Sequence, residues 1–432
     1  MSFLYQLISG LLLAAALPLL LLHPKRRRRI GARLGLGLGR AVASLPDART
    51  GPTIWLHALS VGEVTSALPL VRGLRAALPD ACLICSASTR SGEELARSLL
   101  GDDADLVIAA PLDLGPVVPF FCRTIRPALF ILVETDFWPH WLHVLASRRV
   151  SLLLVNGRFS AASFRRYQRL SLLFGPMFRR FDLLSMQTEN DVRSLRELGV
   201  DADRIRALGN LKFDTSRLIR QPETDREQAR IAHGFAPAAL LWICGSTHPG
   251  EEEIIVQAYL QVRRTIADLQ LLLAPRSIDR AGEIVALASR LGLRCRLRSA
   301  DPTEQGPLLV LDTIGELAGC YAMADLAFIG GTLVACGGHN PIEPAAAAVP
   351  VLFGPHMEDF AEIARELLDC GGAWQVDSQA TLVQALLHLL TRHERRQAMA
   401  TAARAFVVAN EGVVDAHLQA VSELLGLHGS GR

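Results

Sequence analysis

The chain has 432 residues, of which 50% are hydrophobic and 20% are charged. This length exceeds one ordinary hydrophobic core and predicts two domains with additional segments. The apolar fraction excludes a disordered protein, and the formal net charge of +2 argues against a general nucleic-acid-binding protein. We therefore expect a globular or membrane-attached protein.

An apolar segment opens the chain and a basic cluster follows it. Residues Phe3 to Leu22 contain no charged side chain, and Lys25 to Arg29 are all basic. About 20 helical residues suffice to cross a bilayer. A cleaved signal peptide would have its positive charges before the apolar segment, which is the reverse order. The sequence predicts a membrane anchor over residues 1–24, either spanning the bilayer or lying in its surface, with the basic side chains facing anionic headgroups.

Short apolar segments alternate with helical patterns along the rest of the chain. Uninterrupted apolar runs of this kind are typical of parallel strands that are covered on both faces. The predicted strands of a first series are Thr53–His57, Cys82–Ser86, Ala128–Val133, Val150–Val155 and Leu183–Gln187. After a polar stretch, the predicted strands of a second series are Leu240–Cys244, Leu271–Ala274, Leu308–Leu311, Asp325–Ile329 and Val349–Phe353. The sequence predicts an α/β fold with two doubly wound, Rossmann-like domains facing a cleft, over residues 25–216 and 217–432.

Six polar loops follow predicted strands, where a fold of this class binds its ligands. These loops are His57–Glu63, Glu134–Pro139, Asn156–Ser160, Gly209–Asp214, Gly245–His248 and Ala274–Arg276. Glu63 lies near a helix start, where an acid either stabilises the helix dipole or projects toward a ligand. Glu134 directly ends a buried strand, which is less easily explained as a solvated charge. Six such loops indicate a binding site.

The most informative segment is Gly337–Pro344, between a strand-like run and the helix-like Ala345–Ala348. Glycines at such a junction let backbone amides approach a phosphate, and the helix N-terminus favours negative charge. A carboxylate one turn into the helix, Glu343, can hold sugar hydroxyls. The same residues suit a helix N-terminus, with Asn340 as the cap and Glu343 in a capping box. The sequence leaves both interpretations open.

Metal and redox chemistry have weak support in the sequence. Among eight cysteines, only Cys82 and Cys85 have CxxC spacing, inside an apolar segment that indicates buried thiols. Asp103–Asp105 and Asp201–Asp203 have DxD spacing but lie in polar, turn-like stretches. We therefore expect neither a metal nor a cofactor.

These loops together resemble those of 3-deoxy-D-manno-octulosonic acid (Kdo) transferases specific for lipid IVA. The resembling segments are His57–Glu63, Glu134–Pro139, Gly209–Asp214, Pro275–Arg276, Asp312–Glu316, Gly337–Glu343 and Gly354–His356. The resemblance implies a GT-B fold and an inverting, metal-independent glycosyltransferase that moves Kdo from CMP-Kdo to lipid IVA in lipopolysaccharide core assembly. It further implies contact with inner-membrane lipid but not with nucleic acid, and a cell inner-membrane location with the catalytic domains on the cytoplasmic side.

The resemblance also implies roles residue by residue. Glu63 corresponds to the general base, and Glu134 and Lys212 correspond to residues that stabilise the transition state. The implied CMP-binding residues are Pro275, Arg276, Ile314, Gly315, Glu316, Asn340, Pro341, Ile342 and Glu343. Further substrate contacts are implied at Ser60, Gly62 and Arg90. The first domain would bind the acceptor and the second the CMP-sugar.

Two alternatives stay open, because one fold supports many activities. The nearer is another membrane-associated GT-B enzyme that uses a sugar nucleotide, either a different glycosyltransferase or an epimerase. The farther is a catalytically inactive, membrane-anchored binding protein.

Overall fold

The computed structural model describes residues 24–45, 50–159, 161–219, 226–300 and 306–427. The chain forms two compact units, the first comprising Met1–Thr215 and Gly412–Arg432 and the second Ser216–Glu411. The apolar run predicted to anchor the protein lies outside the described residues. Within the described ranges, no helix is both long and apolar enough to cross a membrane.

In the first unit, the described strands form one parallel seven-stranded sheet. The strands are β1 (Thr53–Ala58), β2 (Cys82–Ala87), β3 (Leu106–Ala109), β4 (Leu129–Val133), β5 (Ser151–Gly157), β6 (Leu183–Met186) and β7 (Ile205–Ala207). The helices are α1 (Pro24–Arg33), α2 (Leu38–Ala43), α3 (Val61–Ala77), α4 (Arg90–Leu99), α5 (Val117–Ile125), α6 (Pro139–Ser147), α7 (Ala161–Arg169), α8 (Ser171–Phe178), α9 (Glu189–Glu197) and α10 (Lys212–Ile219).

The second unit repeats this plan with another parallel seven-stranded sheet. The strands are β8 (Leu241–Thr247), β9 (Gln270–Pro275), β10 (Cys295–Leu297), β11 (Leu308–Val310), β12 (Leu326–Ile329), β13 (Val351–Phe353) and β14 (Ala373–Gln375). The helices are α11 (Arg226–Ala232), α12 (Glu251–Arg263), α13 (Ala281–Arg290), α14 (Leu317–Cys320), α15 (Ile342–Ala346), α16 (Ala361–Asp369), α17 (Gln379–Thr391) and α18 (His393–Ala409).

Each sheet reverses its strand order beside its first strand. The orders are β3-β2-β1-β4-β5-β6-β7 and β10-β11-β9-β8-β12-β13-β14. The reversal points, between β1 and β4 and between β8 and β12, are where open parallel sheets bind ligands beyond the carboxyl ends of their strands. In the first unit, His57 pairs with Leu132, so β1 and β4 end side by side.

Successive residues of the central strands pack into cores on opposite faces of each sheet. Trp55 belongs to the core on one face, whereas Ile54 and Leu56 belong to the core on the other. Trp242 and Ile243 divide in the same way in the second unit. Because both faces are covered, these strands read as continuous apolar runs.

The ten predicted strands are all present, with ends that differ by at most three residues. The four described strands that the sequence analysis missed are β3, β7, β10 and β14, and these are the edge strands of the two sheets. They have three or four residues each and pair on one side only. Three of them, β7, β10 and β14, contain a charged or amide side chain among three residues and therefore leave no apolar run in the sequence.

The predicted extension of the second domain to residue 432 differs from the structure. The last helix, α19 (Val413–Leu424), packs on the first unit, where Val413 and Val421 join the core. The Asp214 carboxylate accepts the backbone N–H groups of Gly412 and Val414 at 2.9 and 2.6 Å, which fixes the start of α19. Gly412, with φ 94°, is the N-cap residue of α19 and separates this helix from α18, which ends at Ala409. The other boundary, after Thr215, lies one residue from the predicted one.

Candidate active site

Three loops of the first unit meet at the carboxyl ends of β1, β4 and β5. They carry Glu63 in the first turn of α3, Glu134 directly after β4, and Asn156 at the end of β5. Because β4 lies between β1 and β5, its loop can contact both neighbours. The structure therefore brings the two predicted carboxylates, Glu63 and Glu134, into neighbouring loops. It adds the side-chain amide of Asn156, which contacts Glu134.

The Glu63 carboxylate is buried, and both of its oxygens accept a hydrogen bond. Oε1 accepts from the Thr135 hydroxyl at 2.9 Å, and Oε2 accepts from the Leu59 backbone N–H. The residue is 6% exposed. Burial raises the pKa of Glu63 to about 8; the charges of Glu134 and Asp136 also raise it, whereas the two hydrogen bonds lower it. A carboxyl group that titrates near neutral pH is suited to taking up a proton.

Glu134 occupies a strained turn and is held by two partners. Its φ is 56°, and the Thr135 N–H donates to the Val133 carbonyl at 2.7 Å, which closes a three-residue turn. Such backbone strain costs about 1–3 kcal/mol and is concentrated at functional sites. Glu134 Oε1 accepts a hydrogen bond from Asn156 Nδ2 at 2.8 Å and lies 3.8 Å from Lys212 Nζ. The structure thus brings Glu134 and Lys212 together, and their catalytic role stays a prediction.

A chain of amide side chains fixes the backbone around Lys212. Asn156 Oδ1 accepts the Leu211 N–H at 3.0 Å, and Asn210 Oδ1 accepts the Lys212 N–H at 3.0 Å. Gln187 links these two asparagines. Its Nε2 donates to the backbone carbonyl of Asn156, and its Oε1 accepts from the side-chain Nδ2 of Asn210, both at 3.0 Å. The sequence placed Asn156 and Asn210 in site loops without a role. It gave no sign of Gln187, because amide side chains are common in ordinary turns.

A buried histidine holds the far end of the loop after β4. His57 Nε2 lies 2.9 Å from Asp136 Oδ2, and His57 Nδ1 lies 2.9 Å from Ser86 Oγ. Ser88 Oγ donates to the same Asp136 oxygen at 2.6 Å. Burial alone would raise the pKa of Asp136, but the hydrogen bond and charge of His57 and the Ser88 hydroxyl hold it below its usual value. His57, which had no predicted role, therefore anchors this loop.

Arg29, the last residue of the basic cluster, and Arg33, four residues later, each donate a hydrogen bond to a backbone carbonyl of the first unit near this loop. Arg29 donates to the Ser88 carbonyl, and Arg33 Nε donates to the Ala110 carbonyl at 3.0 Å. Burial lowers the pKa of Arg33, whereas the charge of Asp136 raises it. Arg29, predicted to face lipid headgroups, donates one hydrogen bond within the protein, and its contact with lipid stays a prediction.

The predicted contacts Ser60, Gly62 and Arg90 lie on two adjacent helix N-termini. Ser60 precedes α3, and a Cβ atom at Gly92 of α4 would lie 3.2 Å from the Ser60 carbonyl carbon. Gly62 is exposed in the first turn of α3. Arg90 is exposed and pairs with Glu94 of its own helix at 2.7 Å. The structure places Arg90 near the site loops without a contact to Glu63 among the described hydrogen bonds.

The predicted CMP-binding residues lie on three loops at one edge of the second sheet. Pro275 and Arg276 end β9, Ile314 to Glu316 follow β11, and Asn340 to Glu343 follow β12. These strands are close neighbours of β8 in the sheet. The Arg276 side chain is exposed, and its backbone N–H donates to the Thr247 carbonyl at 2.9 Å.

The loop after β11 exposes an apolar side chain beside a fixed carboxylate. Ile314 is 82% exposed, and Gly315 has φ 91°. Glu316 accepts a hydrogen bond from Arg298 Nε at 3.0 Å. The nearby Thr313 hydroxyl and the Arg298 guanidinium hold the pKa of Glu316 below its usual value. An exposed isoleucine is suited to covering one face of a flat ligand.

The segment from Asn340 to Glu343 forms a turn before a short helix. Asn340 Oδ1 accepts the Ile342 N–H at 3.1 Å, and Asn340 Nδ2 donates to Glu343 Oε1 at 3.1 Å. The N-cap of α15 is Pro341, which has no side-chain capping bond. Asn340 therefore accepts the backbone N–H two residues later in the chain, which is the contact that a capping side chain makes. Asn340 and Glu343 also bind each other, which fixes the Glu343 carboxylate at the start of the helix.

The glycines before this segment serve the conformation of their own loop. Gly337 and Gly338 have φ 82° and 76°, and a Cβ atom at Gly338 would lie 2.7 Å from Met357 Sδ. The Gly338 N–H donates to the Gly331 carbonyl at 3.0 Å. This amide, which the sequence analysis offered to a phosphate, is therefore engaged within the protein.

A buried carboxylate of α12 organises the loop after β12. Glu251 is 0% exposed and accepts four backbone N–H groups, those of His248, Gly331, Thr332 and Leu333, at 2.7–3.0 Å. This role of Glu251 was not predictable from the sequence, because the residue is one of three consecutive first-turn acids, which commonly stabilise a helix dipole.

Two histidines stack beside this loop. His248 Nε2 lies 2.8 Å from His339 Nε2, and the ring centroids are 5.1 Å apart with 14° between the planes. Burial and the positive charges of His248 and Arg276 lower the pKa of His339 to about 4. The 2.8 Å contact between the two Nε2 atoms requires that one of them carries a proton and donates it to the other.

Comparison with known proteins agrees with this geometry. The family model of 3-deoxy-D-manno-octulosonic-acid transferase (kdotransferase) matches residues 28–215. A 3-deoxy-D-manno-octulosonic acid transferase of Haemophilus influenzae is 32% identical over 394 residues, covering 90% of each chain. One of Bordetella pertussis is 34% identical over 416 residues, covering 93% of this chain and 95% of the relative.

This chain belongs to the Kdo transferase family. Kdo transferases are glycosyltransferases, so the chain is an enzyme, and the resemblance found in the sequence is confirmed. The UDP-GlcNAc 2-epimerase of Neisseria meningitidis bound to UDP-GlcNAc has a similar structure, with a TM-score of 0.63 and 10% identity, covering 86% of this chain and 100% of that one. At this identity the likeness concerns the fold alone, and it confirms a GT-B-like architecture for this Kdo transferase.

The His, Cys, Asp and Glu side chains of the described loops do not form a cluster typical of a metal centre. Among the described residues, no three side chains of His, Cys, Asp or Glu lie close enough together to hold a metal ion. Metal independence of this Kdo transferase stays a prediction.

We expect Glu63→Gln to stabilise this Kdo transferase at alkaline pH. The folded-state pKa of Glu63, about 8, lies above its usual value, so its contribution to stability is present below about pH 4.5 and is lost as pH rises through 8. Glutamine does not ionise; its oxygen can accept from the Leu59 N–H, and its amide nitrogen can donate to the Thr135 hydroxyl, which reverses that hydrogen bond. The variant should gain on the order of a few kcal/mol over wild type at pH 9 and almost nothing at pH 5, measured by thermal unfolding.

Glu189→Gln is the matched control, because Glu189 is an exposed first-turn acid of α9 in the same unit. Its unfolding midpoint should follow wild type at every pH. A Glu63→Gln difference that stays constant from pH 5 to pH 9 would contradict the raised pKa.

Proposed function

We propose that this protein transfers Kdo from CMP-Kdo to the lipid A precursor lipid IVA in lipopolysaccharide core assembly. Membership of the Kdo transferase family supports the transferred sugar, since the Haemophilus influenzae and Bordetella pertussis relatives match most of the chain. The observation that supports the mechanism is the buried Glu63 carboxylate, held by Leu59 and Thr135 at the end of β1.

Glu63 is the proposed general base. Its carboxylate takes the proton of the acceptor hydroxyl as that oxygen forms a bond to the anomeric carbon of Kdo. The bond from this carbon to the phosphate oxygen breaks, and CMP leaves with the electron pair. Attack on the face opposite the leaving phosphate inverts the anomeric configuration.

Glu134 and Lys212 are proposed to stabilise the charges of the transition state. Positive charge develops on the sugar ring as the phosphate departs, and a carboxylate such as Glu134 favours it. The Lys212 ammonium, 3.8 Å from Glu134 Oε1, can offset the negative charge of the leaving group. The amide chain through Asn156 and Asn210 keeps both groups in place before substrate arrives.

The second unit is proposed to bind CMP without a metal ion. Arg276 supplies a cation beside Pro275, and Glu343, fixed by Asn340, supplies acceptors for ribose hydroxyls. The loop of Ile314, Gly315 and Glu316 is proposed to cover the base, and Pro341 and Ile342 complete the site. Fixed side-chain cations replace the charge stabilisation that a metal would give.

The protein is proposed to be held at the cell inner membrane by its N-terminal segment, with both units on the cytoplasmic side. Residues Phe3 to Leu22 are uncharged, and basic residues follow.

Deletion through Leu22 should release the protein from phosphatidylglycerol vesicles only partly at low salt, since each basic residue near such a surface contributes about 1 kcal/mol. Neutralising residues 25–28 as well should complete the release in flotation assays. Arg29 is left intact, because it donates to Ser88. Full release by the deletion alone would exclude the basic cluster as a membrane contact.

We expect Glu63→Gln to lower the rate of Kdo transfer by on the order of 10²–10⁴-fold, because glutamine cannot accept the proton. In the wild type, kcat/KM should rise with pH and level off above about pH 8, where Glu63 is ionised. Product formation from CMP-Kdo and lipid IVA is measured by mass spectrometry. CMP binding and folding should be retained. Glu189→Gln should transfer at the wild-type rate, and near-normal transfer by Glu63→Gln would remove Glu63 as the base.

We expect Arg276→Ala to weaken CMP binding about tenfold or more, measured by calorimetry, because a charge-assisted contact to phosphate is lost. Arg290→Ala, which removes an exposed arginine at the end of α13, is the matched control. Glu343→Gln keeps an acceptor for Asn340 but removes the charge, and should also weaken binding. Reduced thermal stability of Glu343→Gln with unchanged CMP affinity would assign Glu343 to the helix start alone.

A further inference from the structure

Thr135 is the one side chain outside the predicted set whose hydroxyl contacts the Glu63 carboxylate among the described hydrogen bonds. Its Oγ1 donates to Glu63 Oε1 at 2.9 Å, while the Leu59 N–H donates to Oε2. A carboxylate can accept about four hydrogen bonds, so these two leave one lone pair on each oxygen. The two donors together fix the plane in which the remaining lone pairs point.

The backbone on both sides of Thr135 is itself anchored. Glu134 before it has φ 56° and is bound by Asn156 Nδ2, and Asp136 after it has φ 74° and is bound by His57 and Ser88. An anchored residue in a strained conformation on each side leaves the Thr135 hydroxyl little freedom to turn away. The strain is stored in the loop that presents this hydroxyl.

We infer that Thr135 is a positioning residue, which orients the Glu63 carboxylate for proton abstraction and favours its ionised form. The inference rests on the proposed function, because it assumes that Glu63 is the base. A hydroxyl that donates to a carboxylate stabilises the charged form and therefore opposes burial. Thr135 and Leu59 thus limit the rise in the pKa of Glu63 to a range in which the base is still available.

Charged groups around Glu63 also influence its pKa. Glu134 and Asp136 on the loop after β4 both raise the pKa of Glu63. Lys212 of α10 lies against Glu134, and His57 of β1 lies against Asp136. None of these charges is removed by a change of Thr135 to valine.

The test is a comparison of Thr135→Val with Thr135→Ser in the full-length protein. Valine has nearly the shape of threonine but cannot donate, so we expect the pKa of Glu63 to rise by roughly one unit above its wild-type value of about 8. Transfer at pH 7 should fall about tenfold and recover at a pH above the shifted value. Serine keeps the hydroxyl and should restore both. Thr65→Val on α3, whose hydroxyl donates to the Val61 carbonyl, is the control and should behave as wild type.

Two independent readouts separate the possible outcomes. The pKa of Glu63 is measured by carboxyl ¹³C NMR, with Glu63→Gln identifying the signal, and kcat/KM is measured from pH 6 to pH 10. A raised pKa, a matching shift of the acid limb and rescue by serine support the inference. An unchanged pKa, or activity lowered equally at every pH, would overturn it. A raised pKa without a shift of the acid limb would leave the contact in place and refute Glu63 as the base.

Discussion

The reversal of strand order in each sheet is the constraint on which the rest of the structure depends. β1 and β4 are neighbours in the sheet although they are distant in sequence. The loops that follow these two strands therefore begin side by side at the same edge of the sheet. Glu63 and Thr135, which are 72 positions apart, can therefore form a hydrogen bond. The same reversal between β8 and β12 lets Glu251 bind the amides of residues 331–333. Topology, and not local sequence, makes both contacts possible.

Three carboxylates share the edge of the first sheet, and each is stabilised differently. Asp136 is bound by His57 and Ser88, and its pKa falls below the usual value. Glu134 has the ammonium of Lys212 within 3.8 Å. Among its described contacts Glu63 has two neutral donors and no cation, so burial prevails and its pKa rises to about 8. The proposed proton acceptor is therefore the carboxylate with no cation among its described contacts, because strong pairing would make it a weak base.

The sequence predicted the interior of the fold better than its edges. Central strands are buried on both faces and are therefore continuous apolar runs in the sequence. The edge strands β7 and β14 have three residues each, which include Arg206 and Gln375, and they do not form apolar runs. The catalytic roles of Glu63 and Glu134 stay predictions. The positions of these two acids in neighbouring loops were predictable, because each loop follows an apolar strand. Thr135 and Gln187 were not, because a hydroxyl or amide in a loop has many ordinary uses and only the folded contact distinguishes them. The placement of α19 on the first unit also depends on tertiary packing that no local pattern encodes.

The second unit shows why a glycine-rich junction is an ambiguous signal. A run of backbone N–H groups after a strand resembles an anion-binding nest. In this chain the amides of residues 331–333 already bind an anion, the carboxylate of Glu251, and the Gly338 amide binds a carbonyl. An internal carboxylate is present whether or not a ligand is bound, so it can hold the loop in one conformation before the donor arrives. Under the proposed function, the phosphate of the CMP-sugar relies more on side-chain cations, which gives Arg276 a larger share of its recognition than a phosphate-binding loop would leave to it.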